Sequence, residues 1–338
     1  MSNKYEQPQS LLAVTNWRSR ALTPSEVYTD AFTEWAHHNA VHLYMVLIGP
    51  KTEVDELALD GDHLRLRADH WRLRARFHDG VEMKPRTIRV PFEVLPRDGT
   101  ALRDGAIDWT DESGTSHRWN AAQVARSVLE HADRLGHDLG PWRENTIRKF
   151  FTYQVEYIGQ SYGKHGERTA AERIGEGHMR VQQVLAEVAD HHPSVAVAVI
   201  VMDAHVSGRE MTLSVGPNND DSLAERIQQF MTEPDGPLAD QAKLVTAAEA
   251  MLIRSFPAAR NDQYKDFPVK DAPALIRELR EAGISHLGVQ LDVSRSLARI
   301  RHPDADKPAA QILRFAVNLE TGARETPRTS APLAWQAD

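Results

Sequence analysis

The stretch YQVEYIGQSYGK, Tyr153–Lys164, decides how the rest of the chain is read. It opens with the β-branched and aromatic residues of a buried strand and runs into a loop carrying two glycines, a hydroxyl, a phenol and a lysine. A phosphate cradle is the first reading to test. Gly159 and Gly163-Lys164 mimic the end of a Walker loop, but their spacing is one residue short. His165 also stands where a serine or threonine would be needed to reach magnesium. An ordinary hairpin or an active-site strand remains. Downstream, the spacing predicts a helix over about Thr169–Ala189, and VAVAVIVM, Val195–Met202, reads as a fully apolar strand. The order is therefore strand, helix, strand.

Upstream, Pro24–Asn39 has helical spacing and His42–Ile48 reads as a buried strand ended by Gly49-Pro50. HLRLRA, WRLRARF and TIRVPFEVL alternate apolar and charged residues, as antiparallel strands with one wet face do. Asn120–Leu135 is an amphipathic helix with Asn120 as its cap, broken at Gly136–Pro141. These segments predict an α+β chain with a β-rich N-terminal domain over residues 1–140 and a small mixed sheet flanked by helices over 141–338. The second part continues with helices over Leu223–Met231, Leu238–Ser255 and Ala272–Ala282. HLGVQLDV follows as a strand, and a loosely ordered tail closes the chain.

At 338 residues, with 41% hydrophobic and 26% charged, the chain has a globular balance. No cysteine is present, which excludes disulfides, thiolate zinc sites and cysteine nucleophiles and suits a reducing compartment. The longest apolar run is too short to span a bilayer, so the expectation is a cytoplasmic protein with no membrane contact. His37, His38 and His42 lie close together but lack a zinc-site spacing, so surface and boundary roles are expected for them. The net charge of -8 argues against a protein that coats nucleic acid. Residues 61–90 are locally basic, and Arg72, Arg74 and Arg76 share one strand face that either tracks a phosphate backbone or is simply solvated.

The chemistry-bearing set lies farther along. Tyr157 ends a strand, Arg173 and His178 fall on the following helix, Glu249 sits within TAAEAMLIRSF, and Asn261 follows FPAAR. Phosphodiester hydrolysis needs an activated water, a cation against the charge growing on the phosphoryl oxygens, and help for the departing oxygen. Glu249 is a hard oxygen ligand suited to a largely hydrated magnesium. Arg173 supplies a permanent planar charge for two phosphate oxygens. Tyr157 can orient water or phosphate, and His178 can relay a proton near neutral pH.

As a set, VEYIGQS, the arginine-bearing helix, the apolar strand and EAMLIRSFPAARN resemble the GIY-YIG nuclease superfamily over about Phe150–Asn261. The resemblance implies a magnesium- or manganese-dependent endonuclease acting on nucleic acid, DNA rather than RNA, of a kind that restricts foreign DNA such as that of phages. It implies metal binding for Glu249, phosphate stabilisation for Arg173, and positioning for Tyr157, His178 and Asn261. Tyr153, expected on the same strand face as Tyr157, is taken with Lys164 and Arg168 as a substrate contact, and Arg72, Arg74 and Arg76 as a dock for the nucleic-acid backbone. The family's first tyrosine-bearing strand is not legible beside the second. Tyr44, in HLYMVLIG, supplies it only if about a hundred residues are inserted between the two strands. A catalytically degenerate module that binds nucleic acid or protein is the alternative, a small-molecule phosphodiesterase or nucleotide sensor a third, and self-association is left open.

Overall fold

The computed structural model describes residues 11–325 apart from 17, 25, 40, 61–69, 79–81, 163–167, 193, 207–224, 226–228, 231–232, 234–235, 237, 257–259, 265, 267, 269–271 and 305. Lys164, the HLRLRA stretch, most of the expected helix at Leu223–Met231 and the tail lie outside the described residues; Glu225, Gln229 and Phe230 of that helix are described and helical.

Two short strands, β1 (Leu11–Thr15) and β2 (Ser19–Leu22), precede α1 (Asp30–His38) and β3 (Leu43–Pro50). The α1 helix is capped by the Thr29 side chain, which accepts from the Phe32 N–H. Next come three antiparallel strands, β4 (Thr52–Asp60), β5 (His70–His78) and β6 (Met83–Pro91), and three smaller ones, β7 (Ala101–Arg103), β8 (Ala106–Thr110) and β9 (Ser116–Trp119). Trp71, Leu73, Ala75 and Phe77 turn inward from β5 while the arginines between them face water. Helix α2 (Ala121–Arg134) starts at Asn120, which forms a reciprocal capping box with Gln123. A second helix, α3 (Gly140–Phe150), leads into β10 (Thr152–Gln160).

The helix expected over Thr169–Ala189 is two helices, α4 (Ala170–Gly175) and α5 (Met179–His191). Gly177 separates them at φ +86, a left-handed conformation that costs glycine little and interrupts the helical hydrogen bonding. Strand β11 (Val195–Met202) and the short β12 (His205–Val206) follow. Then come α6 (Gln241–Ser255), α7 (Ala274–Glu281), β13 (His286–Asp292), a 3-10 turn at Ser294–Ser296, β14 (Arg299–Ile300), β15 (Ile312–Asn318) and β16 (Arg324–Glu325).

One five-stranded sheet has the order β14-β10-β3-β11-β2. Strand β3, from before residue 140, lies between β10 and β11, from after it, and pairs antiparallel with both. The segment from β4 through α3 is thus inserted between two strands that are neighbours in space. Alternation along β3 divides the core. Leu43, Met45 and Leu47 face the side of α2 and α6, while Tyr44 and Val46 face that of α1, α4 and α5. The second five-stranded sheet, β12-β1-β13-β15-β16, adds its apolar face to the larger core. No helix among the described residues is long and apolar enough to cross a membrane.

Candidate active site

Strand β10 carries a β-bulge. Val155 pairs with Leu47 and Tyr157 with Val46, so Glu156 is an extra residue opposite no partner of its own. The bulge reverses the alternation beyond it. Tyr153 therefore does not share a face with Tyr157, contrary to expectation. Tyr153 is buried on the far side, with its ring over Gly49, and takes no place in the site. Tyr157 instead turns towards α4 and α5.

On that face Tyr157 meets Tyr44, the ring centroids being 6.1 Å apart. Gly159 is the cross-strand partner of Tyr44. A Cβ at Gly159 would come within 2.5 Å of the Tyr44 phenol oxygen and 2.9 Å of Tyr157 Cε1. Glycine is required here by close approach, since no side chain could stand beneath the two rings.

Arg173 projects from α4, and His178 sits at the N-terminus of α5 with its ring 5.8 Å from Tyr44 and 5.7 Å from Tyr157. An unbroken helix would separate residues five apart; the break at Gly177 brings His178 back to the arginine's side. Tyr44 Oη, Arg173 Nε and His178 Nδ1 are all buried and make no hydrogen bond of normal geometry among the described residues, although the Tyr44 phenol is in polar contact with Tyr157 and Arg173. A buried polar atom left without a good partner costs about 1–3 kcal/mol, so three poorly satisfied groups in one place are a burden on stability.

The charges follow from the same geometry. Burial raises the Tyr44 phenol well above its ordinary value, and the neighbouring Tyr157 adds to this, while nearby Arg173 opposes it without a hydrogen bond of normal geometry. Tyr157 is raised by burial and by the charge of Glu249, so both phenols are neutral at physiological pH. His178 is lowered to about 4 by burial and by the positive charges of Arg173, Arg168 and Arg180. That corrects the expectation of a proton relay titrating near neutrality: the ring is neutral there and can accept a proton, but it holds none to give.

Glu249 reaches the group from α6, whose apolar residues pack with Ile158 in the larger core. Its side chain is 9% exposed. Burial raises its carboxyl to about 7, against the charge of Arg173 and hydrogen bonding from Gln160, which favour the ionised form. Gln160 in turn bonds Thr246 on the same helix, Nε2 to Oγ1 at 3.3 Å, so polar groups line the carboxylate's approach. Sequence reading misses Gln160. Among the described residues no group of three or more histidine, aspartate or glutamate side chains could hold a metal ion. Glu249 alone fits a divalent cation that keeps most of its waters, and such a cation would relieve the cost of burying the carboxylate.

Asn261, expected in the catalytic set, serves the strand instead. Its Oδ1 accepts from the Ile158 N–H at 3.0 Å and its Nδ2 donates to the Ile158 carbonyl at 2.8 Å. The β14 strand pairs only with Thr152 and Tyr153, so the side chain of Asn261 stands in for a neighbouring strand just past the bulge.

Arg168 adjoins the cluster, its guanidinium paired with Glu176 and its charge felt by His178. Arg72, Arg74 and Arg76 are elsewhere, on β5, and face a row of carboxylates. Arg72 lies 3.4 Å from Glu56, Arg74 3.6 Å from Asp55, and Arg76 3.3 Å from Asp55 and 3.6 Å from Glu53. The face is a solvated ladder of weak surface ion pairs on β4 and β5, in which each of these arginines already has a carboxylate beside it. His37 and His38 are exposed, and buried His42 bonds the Arg168 carbonyl, as their surface and boundary reading expects. No protein-family model matches this chain, and no curated protein matches it in sequence.

Proposed function

We propose that the chain is a metal-dependent endonuclease of the GIY-YIG kind, hydrolysing phosphodiester bonds in nucleic acid, with DNA as the favoured substrate. The observation that carries the reading is the convergence of Tyr44, Tyr157, Arg173 and His178 on one face, beside a carboxylate from a separate helix. On this reading β3 is the family's first strand and Tyr44 its tyrosine, with β4 through α3 inserted between it and β10.

Each group has a task that its surroundings suit. Arg173 places a permanent charge beside the phosphoryl oxygens as negative charge grows there. Tyr157 offers its phenol as a hydrogen-bond donor, since it remains protonated. His178, neutral at working pH, can accept a hydrogen bond from the attacking water and orient it. Tyr44 acts from beneath: its phenol is closed to solvent and holds the positions of Arg173, Tyr157 and His178. Glu249 would hold the magnesium or manganese ion, which when bound supplies charge neutralisation to the phosphate. Three arginines strong enough to depress a histidine make the surroundings attractive to a polyanion.

The closed Tyr44 phenol also favours a second reading, a relative that binds nucleic acid without cutting it. Incubating the protein with plasmid DNA and with single-stranded RNA, in magnesium or manganese, beside Glu249→Ala and Arg173→Ala variants separates the two. Cleavage by the wild type, lost in both folded variants, supports the enzyme. Binding without cleavage in all three supports the scaffold, and equal nicking by all three identifies a contaminant.

A further inference from the structure

A second polar cleft lies where β2, α2 and the 3-10 turn Ser294–Ser296 meet, and none of its lining residues belongs to the Tyr44–Tyr157 cluster. Its volume is about 160 Å³. At ~30 Å³ per water that is room for roughly five waters, enough for a tetrahedral oxyanion with its first carbon but not for a whole nucleotide.

Three arginines from three separate parts of the chain line it: Arg20 on β2, Arg126 on α2 and Arg295 in the turn. Arg126 is fixed, its Nη1 donating to the Ala21 carbonyl at 2.5 Å and its guanidinium lying 5.5 Å from the Phe151 ring centroid, while its Nε is buried without a partner among the described residues. Arg20 is exposed and rests over Trp35 at 5.5 Å. Arg295 is exposed and makes no hydrogen bond or ion pair among the described residues.

Two carboxylates also line it, and the three guanidinium groups outnumber them. Glu26 is committed to its own turn, one oxygen accepting from the Thr23 N–H at 2.6 Å and the Thr23 hydroxyl at 2.8 Å. Glu130 is exposed, forms no ion pair among the described residues, and has the positive charges of Arg126, Arg20 and Arg134 nearby. Guanidinium groups converging from three directions on a small concave space, those of Arg20 and Arg295 exposed, match the oxygens of a tetrahedral dianion better than a planar or cationic ligand.

We propose that this cleft binds a phosphomonoester, either a small phosphorylated metabolite or the terminal phosphate of a nucleic-acid strand. The proposal does not depend on the nuclease reading, because the two sites share no residue.

Calorimetric titration with inorganic phosphate in a chelating buffer tests it, using the wild type and the Arg20→Ala, Arg295→Ala, Glu130→Gln and Arg173→Ala variants. Both arginines are exposed, so their removal leaves the fold intact. The expected result is saturable phosphate binding, weakened about tenfold or more by either Arg20→Ala or Arg295→Ala, tightened severalfold by Glu130→Gln, and retained in Arg173→Ala. A parallel titration with an oligonucleotide carrying a 5′-phosphate or a 5′-hydroxyl identifies the source. Preference for the phosphorylated strand over free phosphate assigns the cleft to nucleic-acid ends, and equal affinity assigns it to small metabolites. The proposal is overturned by no binding at about 10 mM phosphate, by affinity indifferent to Arg20 and Arg295, by loss confined to Arg173→Ala, or by weakening in Glu130→Gln.

Discussion

The phenol of Tyr44 occupies the space that a side chain at Gly159 would need, and the two residues face each other across strands separated by more than a hundred positions in the sequence. Gly159→Ala forces a methyl group to within 2.5 Å of that oxygen and 2.6 Å of the ring carbon bearing it. The ring is fully buried and cannot swing away, so the variant is expected to lose about 1–3 kcal/mol, as overpacked cores do. Urea denaturation measures this, and a midpoint equal to the wild type's would show that the rings do not pack as described.

Removing the Tyr44 hydroxyl should act oppositely on stability. The oxygen is buried and makes no hydrogen bond of normal geometry, so Tyr44→Phe discards a desolvation cost and gives up only its polar contacts with Tyr157 and Arg173. Its unfolding free energy is expected to equal or exceed that of the wild type by up to about 1 kcal/mol. A drop of comparable size would mean that the phenol is bonded after all.

Glu249 and His178 make stability depend on pH in opposite directions. A carboxyl raised from 4.5 to about 7 binds its proton more tightly when folded, so stability is greatest below the lower value and falls as pH rises to about 7. The whole change amounts to about 3 kcal/mol. Glu249→Gln should abolish that fall when unfolding is followed from pH 4 to 8 in a chelator, and an unchanged profile would contradict the burial. His178, lowered from 6.5 to about 4, binds fewer protons folded than unfolded, so its contribution is lost as pH falls through that window. Proton NMR of the imidazole should accordingly show no titration between about pH 6 and 8.

Asn261→Ala leaves both backbone groups of Ile158 without their partners at the free edge of β10. Two bonds at about 0.5–1.5 kcal/mol each give an expected loss of roughly 1–3 kcal/mol. Hydrogen exchange at the Ile158 amide should accelerate. A loss of cleavage with protection and stability unchanged would return Asn261 to the catalytic set.

Much of the architecture could be read from periodicity. The alternation in WRLRARF, the capped helix at Asn120, the apolar run to Met202 and the helix around Glu249 all form where the pattern places them. Three features were not legible, and they are what assembles the site. The bulge at Glu156 rotates Tyr157 away from Tyr153, and the break at Gly177 re-aims His178; each is one residue out of register, which a period of 2 or 3.6 does not record. The pairing of β3 with β10 crosses a long insertion, so Tyr44 stayed only an alternative. A glycine inside an otherwise apolar strand was the one available hint that another group approaches there. The ion pairs of the β5 arginines are illegible for a related reason: alternation shows which face the arginines occupy, but not that Glu53, Asp55 and Glu56 lie beside them.

The account holds that Tyr44, Tyr157, Arg173, His178 and Glu249 form one phosphodiester-cleaving site, although Tyr44 comes from the far side of the insertion. The most direct measurement is the single-turnover rate of magnesium-dependent DNA cleavage by Tyr44→Phe, with its fold verified by the unfolding experiment above. The account predicts a rate about 100-fold below the wild type's. A rate within about twofold, from an equally stable protein, would contradict it.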